Sequence, residues 1–93
     1  MQLSVEHLNG QAVVKMVGEF DMGNKAELTR CLEQFDGPVV LDLSDVTFFD
    51  SSAVGVLVVQ HRRLGGDLAL RNPHRNVRRV LEVVGIGDWI EPG

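Results

Sequence analysis

Residues Val39-Val40-Leu41-Asp42-Leu43 form a short, nearly continuous apolar run rich in β-branched side chains. Such a run suits a strand covered on both faces, as in the parallel sheets of α/β folds. Its borders agree with that reading. Asp36-Gly37-Pro38 stops whatever element precedes it, and Ser44-Asp45 closes it. Parallel strands need crossover connections, so helices should flank the run in the sequence.

They do. Upstream, Asn24 to Phe35 places Ala26, Leu28, Leu32 and Phe35 at rough three-to-four spacing, which predicts a helix. Downstream, Thr47-Phe48-Phe49 leads into Asp50-Ser51-Ser52, a helix-capping sequence, and Ala53 to Leu64 reads as the helix it opens. Val54, Val56, Val58 and Val59 prefer strands, but length and the caps favour helix. Its first turns are apolar nearly all round and should be buried, with Gln60, His61, Arg62 and Arg63 emerging at the far end.

The ends complete the pattern. Asn9-Gly10 separates Leu3–Leu8 from Ala12–Val17, a strong hairpin signal, and Gly18-Glu19-Phe20-Asp21 comes next as a loop. After a Gly65-Gly66 turn, Leu68 to Leu70 predicts a strand. Asn72-Pro73 starts a third helix, with Pro in its first turn. Val77, Val80, Leu81 and Val84 mark the inner face of that helix, Arg75, Arg78 and Arg79 lie outward, and Gly85 ends it. Ile86, Trp89 and Ile90 form a last strand or packing strap. The order is β-β-α-β-α-β-α-β: an α/β fold with a mixed sheet of four or five strands, an N-terminal hairpin, parallel crossovers and about three helices. One domain over residues 1–93 is expected, and so short a chain leaves open that all helices share one side.

Composition narrows the function. A 44% hydrophobic and 24% charged chain is expected to be globular rather than disordered. The net charge of −4 argues against nucleic acid as the main partner. The charge is uneven: six of the nine basic residues, all Arg, lie from residue 60 onward. Arginines 62, 63, 71, 75, 78 and 79 read as a solvated helix surface more readily than as a docking face. Cys31 is the only cysteine, so no intramolecular disulfide forms, which fits a reducing compartment. His7, His61 and His74 lack ligand-like spacing, so no metal site is expected; no phosphate-binding loop is present, so no nucleotide cofactor is expected by that route. Met16 and Met22 read as packing residues and Trp89 as a core anchor. Met1 to Gly10 has neither a basic start nor an apolar run. With no span long enough for a bilayer, no membrane insertion is expected, and the expected location is cytoplasmic.

Four segments, in order, resemble the STAS family of bacterial anti-sigma factor antagonists. Gly18-Glu19-Phe20-Asp21 resembles its G-E-[LF]-D. Val39 to Ser44 resembles its central strand ending in D-L-S. Phe49-Asp50-Ser51-Ser52-Ala53-Val54-Gly55 resembles its D-S-[ST]-G-[LV]-G motif, and Gly65-Gly66, Asn72-Pro73 and Val77-Arg78-Arg79-Val80-Leu81 its second half. Two departures stand out. Ala53 replaces the usual Gly, placing a methyl where a partner's surface would approach, and the first helix with its connecting loop is short.

The resemblance implies a bacterial signalling phosphoprotein in transcription regulation, not an enzyme. Ser51 would be the phosphoacceptor, with Asp21, Asp50, Ser52 and Ala53 near it. The partners would be an anti-sigma factor serine kinase and a phosphatase, and a homodimer is left open. Read from the residues alone, Ser51 stands at a helix start, where free amides and the helix dipole favour an anion. Simple capping by Asp50, Ser51 or Ser52, and by Asp21 for the preceding helix, is the plainer reading. A carboxylate of Asp21 or Asp50 would orient the hydroxyl. The alternative within the family is a non-phosphorylated scaffold or transporter-associated subunit. A serine hydrolase fits poorly, since no G-x-S-x-G surrounds Ser51 and His61 lies ten residues along the same helix.

Overall fold

The computed structural model describes residues 1–92. Its strands are β1 (Gln2–Leu8), β2 (Gln11–Phe20), β3 (Val39–Phe49) and β4 (Leu68–Arg71), arranged in that order in one mixed sheet. β1 and β2 are antiparallel; β2–β3 and β3–β4 are parallel. The helices are α1 (Lys25–Leu32), α2 (Ser51–Arg63) and α3 (Arg75–Val83), with 3-10 turns at Met22–Asn24 and Gly87–Trp89. The hairpin forms as expected. Asn9 and Gly10 have φ of 53° and 80°, the positive pair that a tight two-residue turn requires.

All three helices cover one face of the sheet. Val39, Leu41 and Leu43 of β3 share a single core with Leu28 and Leu32 of α1, Val54 and Leu57 of α2, and Val77 and Leu81 of α3. Val39–Leu43 is therefore not covered by helices on both sides. Val40 points to the other face yet is only 2% exposed. Its register partners Val13 and Ala69 flank it on either side, so neighbouring strands bury it without a helix. The rest of that face is partly polar. Lys15 Nζ lies 3.0 Å from Asp45 and 3.8 Å from Asp42.

Several boundaries differ from the sequence expectation. β2 continues through Gly18-Glu19-Phe20, which reads locally as a loop. The pairing with β3 shifts register between Lys15 and Val17 and again between Gly18 and Glu19. Such bulges break the period-two pattern while the ladder goes on. Gly18, at φ +99°, takes a conformation that side-chain-bearing residues rarely adopt. β3 likewise extends to Phe49. α3 starts at Arg75, not Pro73, because Asn72 turns left-handed (φ 54°) and His74 remains extended. Ala26 and Val84 are exposed rather than inward. After the last 3-10 turn, Ile90 makes one parallel bridge to Leu70, and the Glu91 amide donates to the Leu70 carbonyl at 2.7 Å. The C-terminus is thus a strap touching β4, and the sheet has four strands. No helix among the described residues is long and apolar enough to cross a membrane.

Candidate functional site

β2 and β3 end side by side. Phe20 pairs with Phe49 in register, both are buried, and their ring centroids lie 6.2 Å apart. The Asp50 amide donates to the Phe20 carbonyl at 3.1 Å. The next residues along each strand, Asp21 and Asp50, therefore leave the sheet at the same end. This accounts for the G-E-F-D segment residue by residue. Gly18 permits the bulge, the Glu19 carbonyl accepts from Asn24 Nδ2 at 2.8 Å, Phe20 anchors the strand end, and Asp21 caps the 3-10 turn at Met22–Asn24.

Both carboxylates are committed to caps. Asp21 Oδ1 accepts from the Gly23 amide at 2.9 Å, and the Asp21 amide donates to Asn24 Oδ1 at 3.0 Å, closing a reciprocal capping box on the 3-10 turn. Asp50 is extended and precedes α2; its Oδ1 accepts from the Ala53 amide at 3.1 Å, and its carbonyl accepts from Val54 at 3.1 Å. No hydrogen bond joins the Ser51 hydroxyl to Asp21 or Asp50 among the described residues. The D-L-S segment uses the same chemistry. Asp42 Oδ1 accepts from the Ser44 amide at 3.0 Å and the Ser44 hydroxyl at 2.7 Å. Partial burial opposes ionisation of Asp42. The Ser44 bonds, with Lys15 and Arg71 nearby, outweigh that and hold its carboxyl below the ordinary value of 3.8.

Ser51 is the first residue of α2 and is exposed; Ser52 is half-buried. Helix geometry leaves the amides of the first turn without intrahelical acceptors. Asp50 meets the one on Ala53, while those of Ser51 and Ser52 have no such carboxylate bond. The first turn of α2 contains no acidic residue of its own. The surface here combines a free hydroxyl, unmet amides and the positive end of a thirteen-residue helix.

Ala53 does not face outward, as its place in the motif implies it would. It is 1% exposed, so its methyl packs in the core and offers nothing to an approaching partner. Gly55 is the outward glycine. A Cβ there would meet no atom within 4 Å, so packing within this chain does not demand glycine. It lines a shallow groove between α1 and α2 together with Lys25, Thr29 and Val59. Met22 is not a packing residue: it is 76% exposed on the 3-10 turn beside Asp21, and Phe48 is 47% exposed at the same end of the sheet. Sequence reasoning missed both, since an apolar residue next to a turn carries no local mark of facing outward.

The far end of α2 is built for structure. Gln60 does not emerge; it is buried, and its Oε1 accepts from Arg63 Nε at 2.7 Å. Arg63 Nη2 donates to the carbonyls of Leu32 and Phe35 at 2.9 and 2.7 Å, tying α2 to the end of α1. His61 stacks flat on Trp89, with centroids 3.8 Å apart and planes at 2°. Ten residues of helix, about 15 Å, separate it from Ser51, so it is no base for that hydroxyl. Burial, with Glu27 nearby, pushes the Cys31 thiol up, away from the thiolate that nucleophilic chemistry requires.

Known proteins share this arrangement of strands and helices. A STAS domain family model matches residues 2–92. The anti-sigma F factor antagonist of Paenibacillus polymyxa is 28% identical, over 92% of this chain and 80% of its own length. An anti-sigma factor antagonist structure from Mycobacterium paratuberculosis superposes with a TM-score of 0.87 at 24% identity, covering 99% of this chain and 86% of that one. The Bacillus cell fate determinant SpoIIAA, solved in its phosphorylated form, superposes with a TM-score of 0.69 at 24% identity, covering 99% and 91%. With a family model spanning nearly every residue, the chain belongs to the STAS domain family.

Proposed function

We propose that this protein is an anti-sigma factor antagonist that works by partner switching. Unphosphorylated, it binds an anti-sigma factor serine kinase and so frees a sigma factor; phosphorylated on Ser51, it is released, and a phosphatase resets it. The observation that carries this reading is the exposed Ser51 hydroxyl at the start of α2, directly after a capping aspartate. Relatives named as anti-sigma F factor antagonists and a similar fold known in phosphorylated form support it.

The physics of the switch is local. A phosphate on Ser51 adds roughly −1.5 to −2 charges near neutral pH. The unmet amides and helix dipole stabilise an anion there by about 0.3–1 kcal/mol, so α2 has no need to refold. Asp50 and Asp21 repel the phosphate and keep it at the surface. The exposed Met22 and Phe48 at the same end offer apolar area to a partner that approaches the bare hydroxyl. Burying a dianion in such a contact costs several kcal/mol unless the partner supplies matching cations. Ala53, whose methyl faces the core, lends no support to the scaffold alternative.

Binding to purified anti-sigma factor kinases from the protein's own cells, measured by calorimetry, tests the proposal. Ser51→Ala should stay within about threefold of wild type, whereas Ser51→Asp should weaken binding by about a hundredfold or more. Equal affinities for the two variants would remove Ser51 from the interface.

A further inference from the structure

Arg75, Arg78 and Arg79 share the outward side of α3, opposite the buried Val77 and Leu81, and all three are exposed. Their three- and four-residue spacing brings the guanidinium groups into one patch. None of them forms an ion pair among the described residues, whereas Arg63 reaches Asp36 and Arg71 bonds Glu91 at 2.8 Å. Glu82 is spaced to reach Arg78 and Arg79 but does not pair with either. The arrangement opposes the fold locally. Like charges crowd the positive end of a helix whose first turn has no acidic residue and whose N-cap, His74, makes no side-chain bond.

Two further observations mark this side as a contact surface. Val83, 78% exposed, lies one turn beyond Arg79 on the same side, an apolar spot beside guanidinium groups. The patch also adjoins the Ser51 end of the molecule. β3 and β4 are parallel, so α2 and α3 both begin at their carboxyl ends, and Asn76 Nδ2 donates to the carbonyl of Thr47 at 3.3 Å.

We propose that the outward face of α3 docks an acidic protein surface: carboxylates at helical spacing opposite Arg75, Arg78 and Arg79, around an apolar side chain seated on Val83. The charge complement is a cluster of carboxylates, and Val83 asks for an apolar neighbour that a nucleic-acid backbone lacks. A lipid surface fits less well, because the broad apolar side of α3 is already buried in the core and only Val83, with Val84 at the helix end, remains outside. The net charge of −4 disfavours an extended polyphosphate. Such docking is independent of phosphorylation and would serve a STAS scaffold equally.

The test is an amide chemical-shift titration with a synthetic alanine-rich helical peptide carrying Glu at i and i+4 around a central Leu, beside its Gln counterpart. The Glu peptide should shift residues 74–84 and the Gln peptide should not. The triple variant Arg75→Gln/Arg78→Gln/Arg79→Gln should lose about tenfold or more in affinity, while Lys at the same sites should retain most of it. Val83→Glu, which leaves every arginine in place, should also weaken binding, and circular dichroism confirms that each variant is folded. An absent or scattered shift pattern with the Glu peptide overturns the proposal. So does tighter binding to phosphatidylglycerol vesicles or a short DNA duplex at physiological ionic strength, which would assign the patch to lipid or nucleic acid.

Discussion

α2 and α3 both start at the carboxyl end of a parallel strand, yet they begin in opposite ways. α2 opens on a capping Asp50, has no acidic residue in its first turn, and buries Ala53, Val54, Val56, Leu57 and Gln60. α3 opens on His74, which makes no cap bond, fully buries only Val77 and Leu81, and carries three exposed arginines. The first helix start is neutral apart from its cap and exposes a hydroxyl that can acquire charge. The second is permanently positive. On the proposed reading, one end of the sheet then carries two kinds of signal: a charge that can be switched on at Ser51 and a constant one on α3. Both helices contribute to the one core, α2 burying five residues and α3 Val77 and Leu81, so the contrast lies in their starts and outward faces.

The sharpest way to break that contrast is by side-chain truncation. Leu57, fully buried in α2, should cost about 3 kcal/mol when changed to Ala, from lost transfer energy and the cavity left behind. Val83→Ala on the outside of α3 should change stability by less than about 0.5 kcal/mol. Urea denaturation measures both, and similar costs would mean that Val83 is not the outward position described. The caps give a smaller effect. Asp50→Ala should cost about 1 kcal/mol through the lost bond to the Ala53 amide, while His74→Ala, with no such bond to lose, should be near neutral. His74→Asp supplies the missing cap and an anion at the positive helix end, and should raise stability by roughly 0.5–1 kcal/mol. If His74→Ala proved as costly as Asp50→Ala, the two helix starts would not differ as described.

The smallest effect lies on the open face of the sheet, away from both helices. Asp42 titrates below the ordinary carboxylate value of 3.8 in the folded protein. Its contribution to stability is therefore complete above that value and is lost as pH falls through the lowered folded value. Asp42→Asn keeps an acceptor for Ser44 and removes the charge. The variant should show a shallower loss of stability than wild type below pH 3.8, and parallel curves would assign acid sensitivity elsewhere.

Much of this was legible in the sequence, for local reasons. The Asn9-Gly10 turn, the capping chemistry of Asp50 and the apolar spacing of α1 and α3 each act within a few residues, and the structure obeys them except at Ala26 and Val84. The features that escaped were tertiary. Val39–Leu43 reads as covered on both sides because Val40 is apolar, but neighbouring strands bury Val40 on a face without a helix. Gln60 and Arg63 read as a solvated helix end. They turn inward because carbonyls at the end of α1, 28 and 31 residues away in sequence, need donors. Bulges at Lys15–Val17 and Gly18–Glu19 hid the last residues of β2 within an apparent loop. The candidate site was legible as a motif. Capping by both aspartates was legible too, whereas the inward turn of the Ala53 methyl was not.

The central claim is that Ser51 carries the switch. Peptide mass spectrometry on protein purified from its native cells, with and without phosphatase treatment, tests it most directly. The expected result is a phosphatase-sensitive phosphate on Ser51 and none on Ser52. A phosphate on Ser52 instead, or none under any growth condition together with failure to accept one from the host's anti-sigma kinases, would contradict it and leave Ser51 as the first residue of a capped helix.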